Sequence, residues 1–341
     1  MAVSIDIGTR AVHIIIGEAK KSGHITIKNS DMIMIPANML AEDQIQQQRS
    51  LFTIIKPALS QMNVKRTDCN FTLADDRFLA REFSLPKCSE SDLRGLARQE
   101  MISQYGAAED DVVEVQVLAR QPDGTVAIRA AAYSKALTDG YFKFAIESSL
   151  SPRSLDYHSD SIKKLVSYKP EINGDTIADK NVILADLGMF ACIVHVVSYG
   201  RTVFSRCLPV GFGELSHVIS GRGIPGDSNN ANSLEAASFN QRSAEYNSYP
   251  PHVSQQIEAF FYKLADEMSK TLRFLSTSKV VDHVDALYMF GGGSQIPGLA
   301  PRLGKAIAIR TEDVQTVSTI TAPVEIYDKL PLLLNCAGSL L

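Results

Sequence analysis

The residues of this chain that are equipped for chemistry gather in a few short stretches of acids and glycines. Asp6-Ile7-Gly8-Thr9 closes the first apolar run, and Asp186-Leu187-Gly188 closes another roughly 180 residues later. Gly8 frees the backbone to approach a ligand, Thr9 adds a hydroxyl donor, and Asp6 is placed to hold a water of a bound metal ion. The same Asp-x-Gly also suits a strand end whose acid caps its own turn. A third stretch, Gly291-Gly292-Gly293, follows the apolar run 286–290 and leads through Ser294-Gln295-Ile296-Pro297-Gly298 into a helical pattern from Leu299. Strand, glycine turn and helix N-terminus together accept an anion, because the backbone comes close and the helix offers unpaired N–H groups. A nucleotide is one guest that suits such a turn, and a plain tight turn is the other reading. Finally, Glu267 and Lys270 lie three apart on a helical pattern, so they share a face and read as a solvated ion pair.

Positioning these groups requires two similar frameworks. Residues 3–17 hold two apolar runs separated by the Gly-Thr turn, and Ser22-Gly23 separates them from a third, which together predict a three-strand meander. The pattern returns at 182–208, with apolar-Asp-apolar-Gly, turn, strand, turn and strand in the same order. Such a duplication predicts two lobes facing one another across a cleft, each contributing a glycine turn and an acid.

Between and after the repeats the pattern changes. A helix is expected over 41–63, interrupted by Pro57, and a pair of strands over 69–85 turning at Ala74-Asp75-Asp76. Ser89 to Asp92 reads as a capping box for a helix through Tyr105, with Gly106 as its stop. Gln121-Pro122-Asp123-Gly124 joins two strands, and a second helix is expected over 135–150, giving a compact α-β-β-α unit. Residues 155–168 read as a helical connection with Asp156, Asp160 and Lys164 solvated, and 170–180 as an exposed polar stretch. The Ser/Asn/Gly/Pro-rich span 221–251 reads as exposed and mobile. Residues 252–277 keep helical apolar spacing, and 326–341 reads as a helix packed into a core, since it lacks the cationic face of a membrane-surface anchor.

Composition narrows the classes. At 341 residues, two lobes or domains are the default, and 45% hydrophobic with 21% charged residues is ordinary for a globular protein. A net charge of −4 with scattered Lys and Arg argues against a nucleic-acid partner. The N-terminal residues lack the basic start of a signal peptide, and no apolar stretch approaches the roughly 18 residues that span a bilayer. Cys69, Cys88, Cys192, Cys207 and Cys336 are odd in number and without Cys-x-x-Cys spacing, so buried free thiols are expected rather than metal ligands.

Taken together, the two Asp-x-Gly turns, the glycine triplet and the closing apolar helix resemble the actin-like ATPase superfamily, with its α/β, ribonuclease-H-like, two-lobed fold. Within it the chain is similar to the PilM family of cytoplasmic type IV pilus assembly proteins. Phe83-Ser84-Leu85-Pro86 ahead of an acidic helix carries part of that similarity, as does Gly200-Arg201-Thr202-Val203-Phe204-Ser205-Arg206-Cys207-Leu208-Pro209-Val210-Gly211. The resemblance covers nearly the whole chain and leaves 221–251 unmatched.

The resemblance implies a division into 1–82 as first-lobe core, 83–150 as an inserted α+β subdomain of the PilM/FtsA type and 151–180 as a connecting helix. Second-lobe core would be 181–215 and 285–325, flanking an outer subdomain at 216–284, with 326–341 closing the fold. It also implies ATP and Mg²⁺ between the lobes. Asp6 and Asp186 would hold the metal shell, Gly8, Thr9 and Gly188 would offer N–H groups to phosphates, and Gly291 to Gly293 would pass under the adenosine. Glu267 and Lys270 match a pair that other superfamily members set against ribose and adenine.

Two departures weaken the phosphate side. His13 stands where the family usually has a Lys, and Met189-Phe190-Ala191-Cys192 stands where it tends to have Thr or Ser. Modest nucleotide binding with slow or absent hydrolysis is therefore expected. The implied partner is the N-terminal cytoplasmic peptide of a PilN-like bitopic membrane protein, with a homo-oligomer or ring as a further expectation. The chain would then meet the inner face of the plasma membrane only through that partner. An FtsA-like division or type II secretion platform protein is the alternative, with an actin-fold small-molecule kinase behind it.

Overall fold

A computed structural model describes residues 1–40, 44–75, 78–213, 215, 251–296 and 298–341. The span 221–250 of the expected exposed stretch, with Asp76 of the expected Ala74-Asp75-Asp76 turn, lies outside the described residues.

Two sheets of matching order dominate. In the first, β1 (Ala2–Ile7), β2 (Ala11–Ala19) and β3 (Ile25–Met34) form the expected antiparallel meander. β1 then pairs in parallel with β4 (Asp68–Leu73), and β4 with β8 (Ser151–Tyr157); the short β16 (Ile320–Thr321) adds to β3. In the second, β11 (Asn181–Leu187), β12 (Cys192–Ser198) and β13 (Arg201–Leu208) repeat the meander. β11 pairs in parallel with β14 (Ala286–Phe290), and β14 with β15 (Arg310–Asp313). The orders β3-β2-β1-β4-β8 and β13-β12-β11-β14-β15 correspond strand for strand.

Strand alternation decides what each face meets. On β1, Val3, Ile5 and Ile7 enter a core with Leu51 and Ile55 of α2 (Gln44–Gln61) and Tyr141 and Phe144 of α4 (Lys135–Glu147). The opposite face carries Ser4 and Asp6, both buried, and Ser4 Oγ lies 2.6 Å from Ser339 Oγ of α9 (Leu330–Ser339). β11 mirrors this. Ile183, Ala185 and Leu187 join Ile257, Phe260, Leu264 and Met268 of α6 (Pro251–Thr277), whereas Val182 and Leu184 join Leu333 and Leu334 of α9. Burying side chains of this size contributes about 1.5–3 kcal/mol each, which makes both faces of both central strands cohesive.

The layer between the sheets is a helix pair, α5 (His158–Ser167) and α9. Their approach depends on Gly338, where a Cβ would come within 2.1 Å of the Ser161 carbonyl oxygen. α5 begins at the site described below.

The small sheet β5-β7-β6 is built from β5 (Leu79–Pro86), β6 (Val112–Arg120) and β7 (Thr125–Tyr133), and α3 (Glu90–Tyr105) covers it. It has its own core of Leu85, Leu93, Ala97, Met101, Val126, Ile128 and Ala130. Ser89 caps α3 by accepting from the Asp92 N–H, and Gly106 ends it in the left-handed region at φ 81°. The unit expected as α-β-β-α is β-α-β-β in its packing. α4 belongs to the first large sheet, where Phe144 stacks on Phe52 at 4.1 Å between ring centroids. Two further expectations change. β4 and β5 do not form a strand pair with each other, because β4 is buried on both faces in the large sheet and β5 joins the small one. The stretch 155–168 is not one helix: β8 runs to Tyr157 before α5 starts, since Leu155 and Tyr157 pair with Phe71 and Leu73. Residues 170–180 form a small hairpin, β9 (Glu171–Ile172) and β10 (Asp175–Thr176), with Ile172 and Ile177 buried. Pro57 lies inside α2 without ending it.

Candidate functional site

Asp6 and Asp186 occupy equivalent places near the ends of β1 and β11, and both are buried. His158, the first residue of α5, reaches both. Its Nε2 is 2.6 Å from Asp6 Oδ1 and its Nδ1 is 3.7 Å from Asp186 Oδ2. His13, the cross-strand partner of Asp6, brings Nδ1 to 3.4 Å from Asp6 Oδ2. Asn335 of α9 donates from Nδ2 to Asp186 Oδ2 at 2.9 Å.

The electrostatics follow from this crowding. Burial pushes the Asp6 carboxyl up, but the His158 charge and hydrogen bond, with the His13 ring close by, outweigh it and hold the group well below the usual carboxylate range. Burial pulls the His158 imidazole down; the Asp6 carboxylate above all, with Asp186 and Asp75 behind it, overcomes that and raises it to about 9. Asp186 is raised by burial, against His158 and the Asn335 hydrogen bond. Asp75, in the turn after β4, accepts from the Ser159 N–H at 2.9 Å and from the Ser159 hydroxyl, so it caps α5 from a distant strand.

These groups open onto a cavity of about 370 Å³ between the two sheets, lined by Asp6, Gly8, Thr9, His13, Asp186, Gly188, Gly291 and Gly292. Eight of the sequence-derived residues therefore come together. Gly293 is buried beneath them, where a Cβ would fall 2.4 Å from the Leu187 side chain. Gly291 is needed for a related reason: its φ is +82°, and a Cβ would stand 2.2 Å from Asp186 Oδ1. The Gly291 N–H donates to the Pro331 carbonyl at 3.0 Å, tying the glycine turn to the start of α9.

The two Asp-x-Gly turns are alike but not as expected. The Gly8 N–H donates to the Ala11 carbonyl at 3.0 Å and the Gly188 N–H to the Ala191 carbonyl at 2.9 Å, so each closes its own turn instead of facing the cavity. Glu267 and Lys270 are not among the cavity lining; they form an ion pair on α6 at 2.7 Å, with Asp266 at 2.8 Å from the same Lys270 Nζ. Of the cysteines, Cys69, Cys192 and Cys336 are buried free thiols as expected, whereas Cys207 is exposed and lines the cavity.

Four contributors escaped the sequence: His158, Asp75, Asn335 and Arg10. Arg10 lines the cavity beside Thr9 and donates to the Ile35 carbonyl at 3.1 Å, so a cation does stand at the first turn. Asn335 carried a signal, being the polar break in Leu332-Leu333-Leu334-Asn335-Cys336-Ala337.

The donor set is a test of the implied ion. Mg²⁺ takes one or two carboxylates together with waters and phosphate oxygens, and Asp6 with Asp186 supplies that kind of set. When bound, such an ion would neutralise phosphate charge.

Two sheets sharing one five-strand order, each with an acid on the middle strand of that order and facing its twin across a cleft, define the actin-like ATPase fold. A family model for the type IV pilus assembly protein PilM matches residues 4–330, and the chain belongs to that family. A solved PilM-PilN type IV pilus biogenesis complex superposes with a TM-score of 0.77 at 17% identity, covering 99% of this chain and 97% of that one. Ethanolamine utilization protein EutJ from Carboxydothermus hydrogenoformans gives a TM-score of 0.50 at 10% identity, over 99% of this chain and 88% of its own. No curated protein sequence matches the chain.

Proposed function

We propose that the chain is a nucleotide-binding scaffold of a type IV pilus assembly platform, and that it grips the N-terminal cytoplasmic peptide of a PilN-like membrane protein. The observation that carries this reading is the likeness to the PilM-PilN complex along 99% of the chain, together with family membership over residues 4–330. Among the described residues no helix is long and apolar enough to cross a membrane, which is consistent with attachment through a partner.

In this reading the interlobe cavity takes an adenine nucleotide. Asp6 and Asp186 hold Mg²⁺, Arg10 supplies positive charge near the phosphates with His13 beside it, and the Gly291 to Gly293 turn supports the adenosine. Glu267 and Lys270 remain candidates for its outer edge. The His158 ring stands within 4 Å of both acids. Hydrolysis is slow or absent, because the second turn lacks hydroxyl donors and the Gly8 and Gly188 amides are engaged in their own turns. Homo-oligomerisation into a ring would serve the same platform.

Calorimetric titration of the partner's N-terminal peptide into the full chain is the test. Saturable binding near one to one supports the scaffold; no heat and an unchanged thermal midpoint would remove it. Phosphate release at several turnovers per minute that disappears in Asp186→Ala would instead make the chain an active ATPase.

A further inference from the structure

His158 was not among the residues that the sequence nominated, yet its ring reaches both acids of the site. Its ring lies between the carboxylates of the two lobes, 2.6 Å from Asp6 Oδ1 and 3.7 Å from Asp186 Oδ2. The two nitrogens of an imidazole point away from each other, so one ring serves both acids only by standing in the space between them. The other Asp6 oxygen faces His13 at 3.4 Å, and Asp186 Oδ2 already accepts from Asn335 at 2.9 Å. A divalent cation held by both acids would have to sit between their carboxylates, where the ring now stands. Ring and ion therefore compete for one place.

We infer that His158 is a gate for the divalent cation: nucleotide enters the cleft without metal, and Mg²⁺ reaches Asp6 and Asp186 only after the ring swings out. This rests on the nucleotide reading of the cleft. The swing is a side-chain movement. Asp75 holds the next residue, Ser159, by its N–H at 2.9 Å and by its hydroxyl, so the backbone at the start of α5 is pinned. The cavity already borders the ring and offers it somewhere to turn.

The test is a set of calorimetric titrations of ADP and ATP into the full chain, in MgCl₂ and in EDTA, with wild type, His158→Gln and His158→Ala. In wild type, Mg²⁺ changes the dissociation constant by less than about threefold, since the ion must displace a charge-assisted hydrogen bond to gain its ligands. In both variants, Mg²⁺ tightens binding by about tenfold or more relative to the same variant in EDTA, the equilibrium equivalent of that lost bond. A wild type that already gains tenfold from Mg²⁺, or variants with unchanged Mg²⁺ dependence, overturns the gate. The wild-type arm decides even if a variant folds poorly. Absence of nucleotide binding in every arm would remove the cleft reading itself, and the gate with it, while leaving the peptide titration to judge the scaffold.

Discussion

His195 sits on β12 with no exposure, and its Nδ1 is 3.2 Å from the Ser205 hydroxyl. Burial pushes its imidazole down from 6.5 to about 4. Between those values the unfolded chain takes a proton that the folded chain refuses, so its contribution is complete above pH 6.5 and is lost as the pH falls toward 4. His158 works in the opposite sense: raised to about 9, it stabilises fully below pH 6.5 and loses that contribution as the pH rises through 9. Denaturant melts across this range should show a maximum near neutrality, with His195→Gln flattening the acid limb and His158→Gln the alkaline limb. A profile unchanged by both substitutions would refute the assignment. Gly291→Ala makes a second prediction at this scale. A methyl at φ +82°, 2.2 Å from Asp186 Oδ1, should cost about 2 kcal/mol in thermal or denaturant melts and weaken nucleotide binding. What the sequence disclosed here was whatever lies within one turn: Asp6 with Gly8, Asp186 with Gly188, and the glycine triplet. His158 and Asn335 meet those acids from distant segments, and Asp75 reaches Ser159 from another; of the three only Asn335, a polar break in an apolar run, left a trace in the sequence.

Elements were legible where their ends are written locally. α3 is bracketed by Ser89 and Gly106, and both act as expected. β8 was hidden because its partner β4 is remote in sequence and pairs in parallel, which leaves no hairpin turn to mark it. α4 was assigned to the small unit by its neighbours along the chain, whereas its apolar face selects the large sheet. That placement is testable by contrast. Phe144→Ala removes a ring buried against Phe52 and Phe71 and should cost about 3–5 kcal/mol by denaturant melts. Phe142→Ala, on the same helix but 60% exposed, should stay within about 0.5 kcal/mol. Equal effects would mean that α4 does not pack as described.

At the scale of the molecule, the repeated apolar-Asp-apolar-Gly pattern announced two matching sheets, and the strand orders agree. It did not announce what separates them. The answer is α5 and α9, buried between the sheets, so each lobe's acid is reached through a helix of that shared layer: Asp6 by His158 and Asp186 by Asn335. Any change in the separation of the sheets must therefore pass through this pair. On the proposed function, that is how occupancy of the cavity is transmitted to the surface that would take the partner peptide. One titration measures this directly: ATP with Mg²⁺ into the full chain, alone and saturated with the PilN-like N-terminal peptide. The account predicts binding in both cases, with the peptide shifting the nucleotide affinity and the nucleotide shifting the peptide affinity by the same factor. Heat from neither ligand would contradict it.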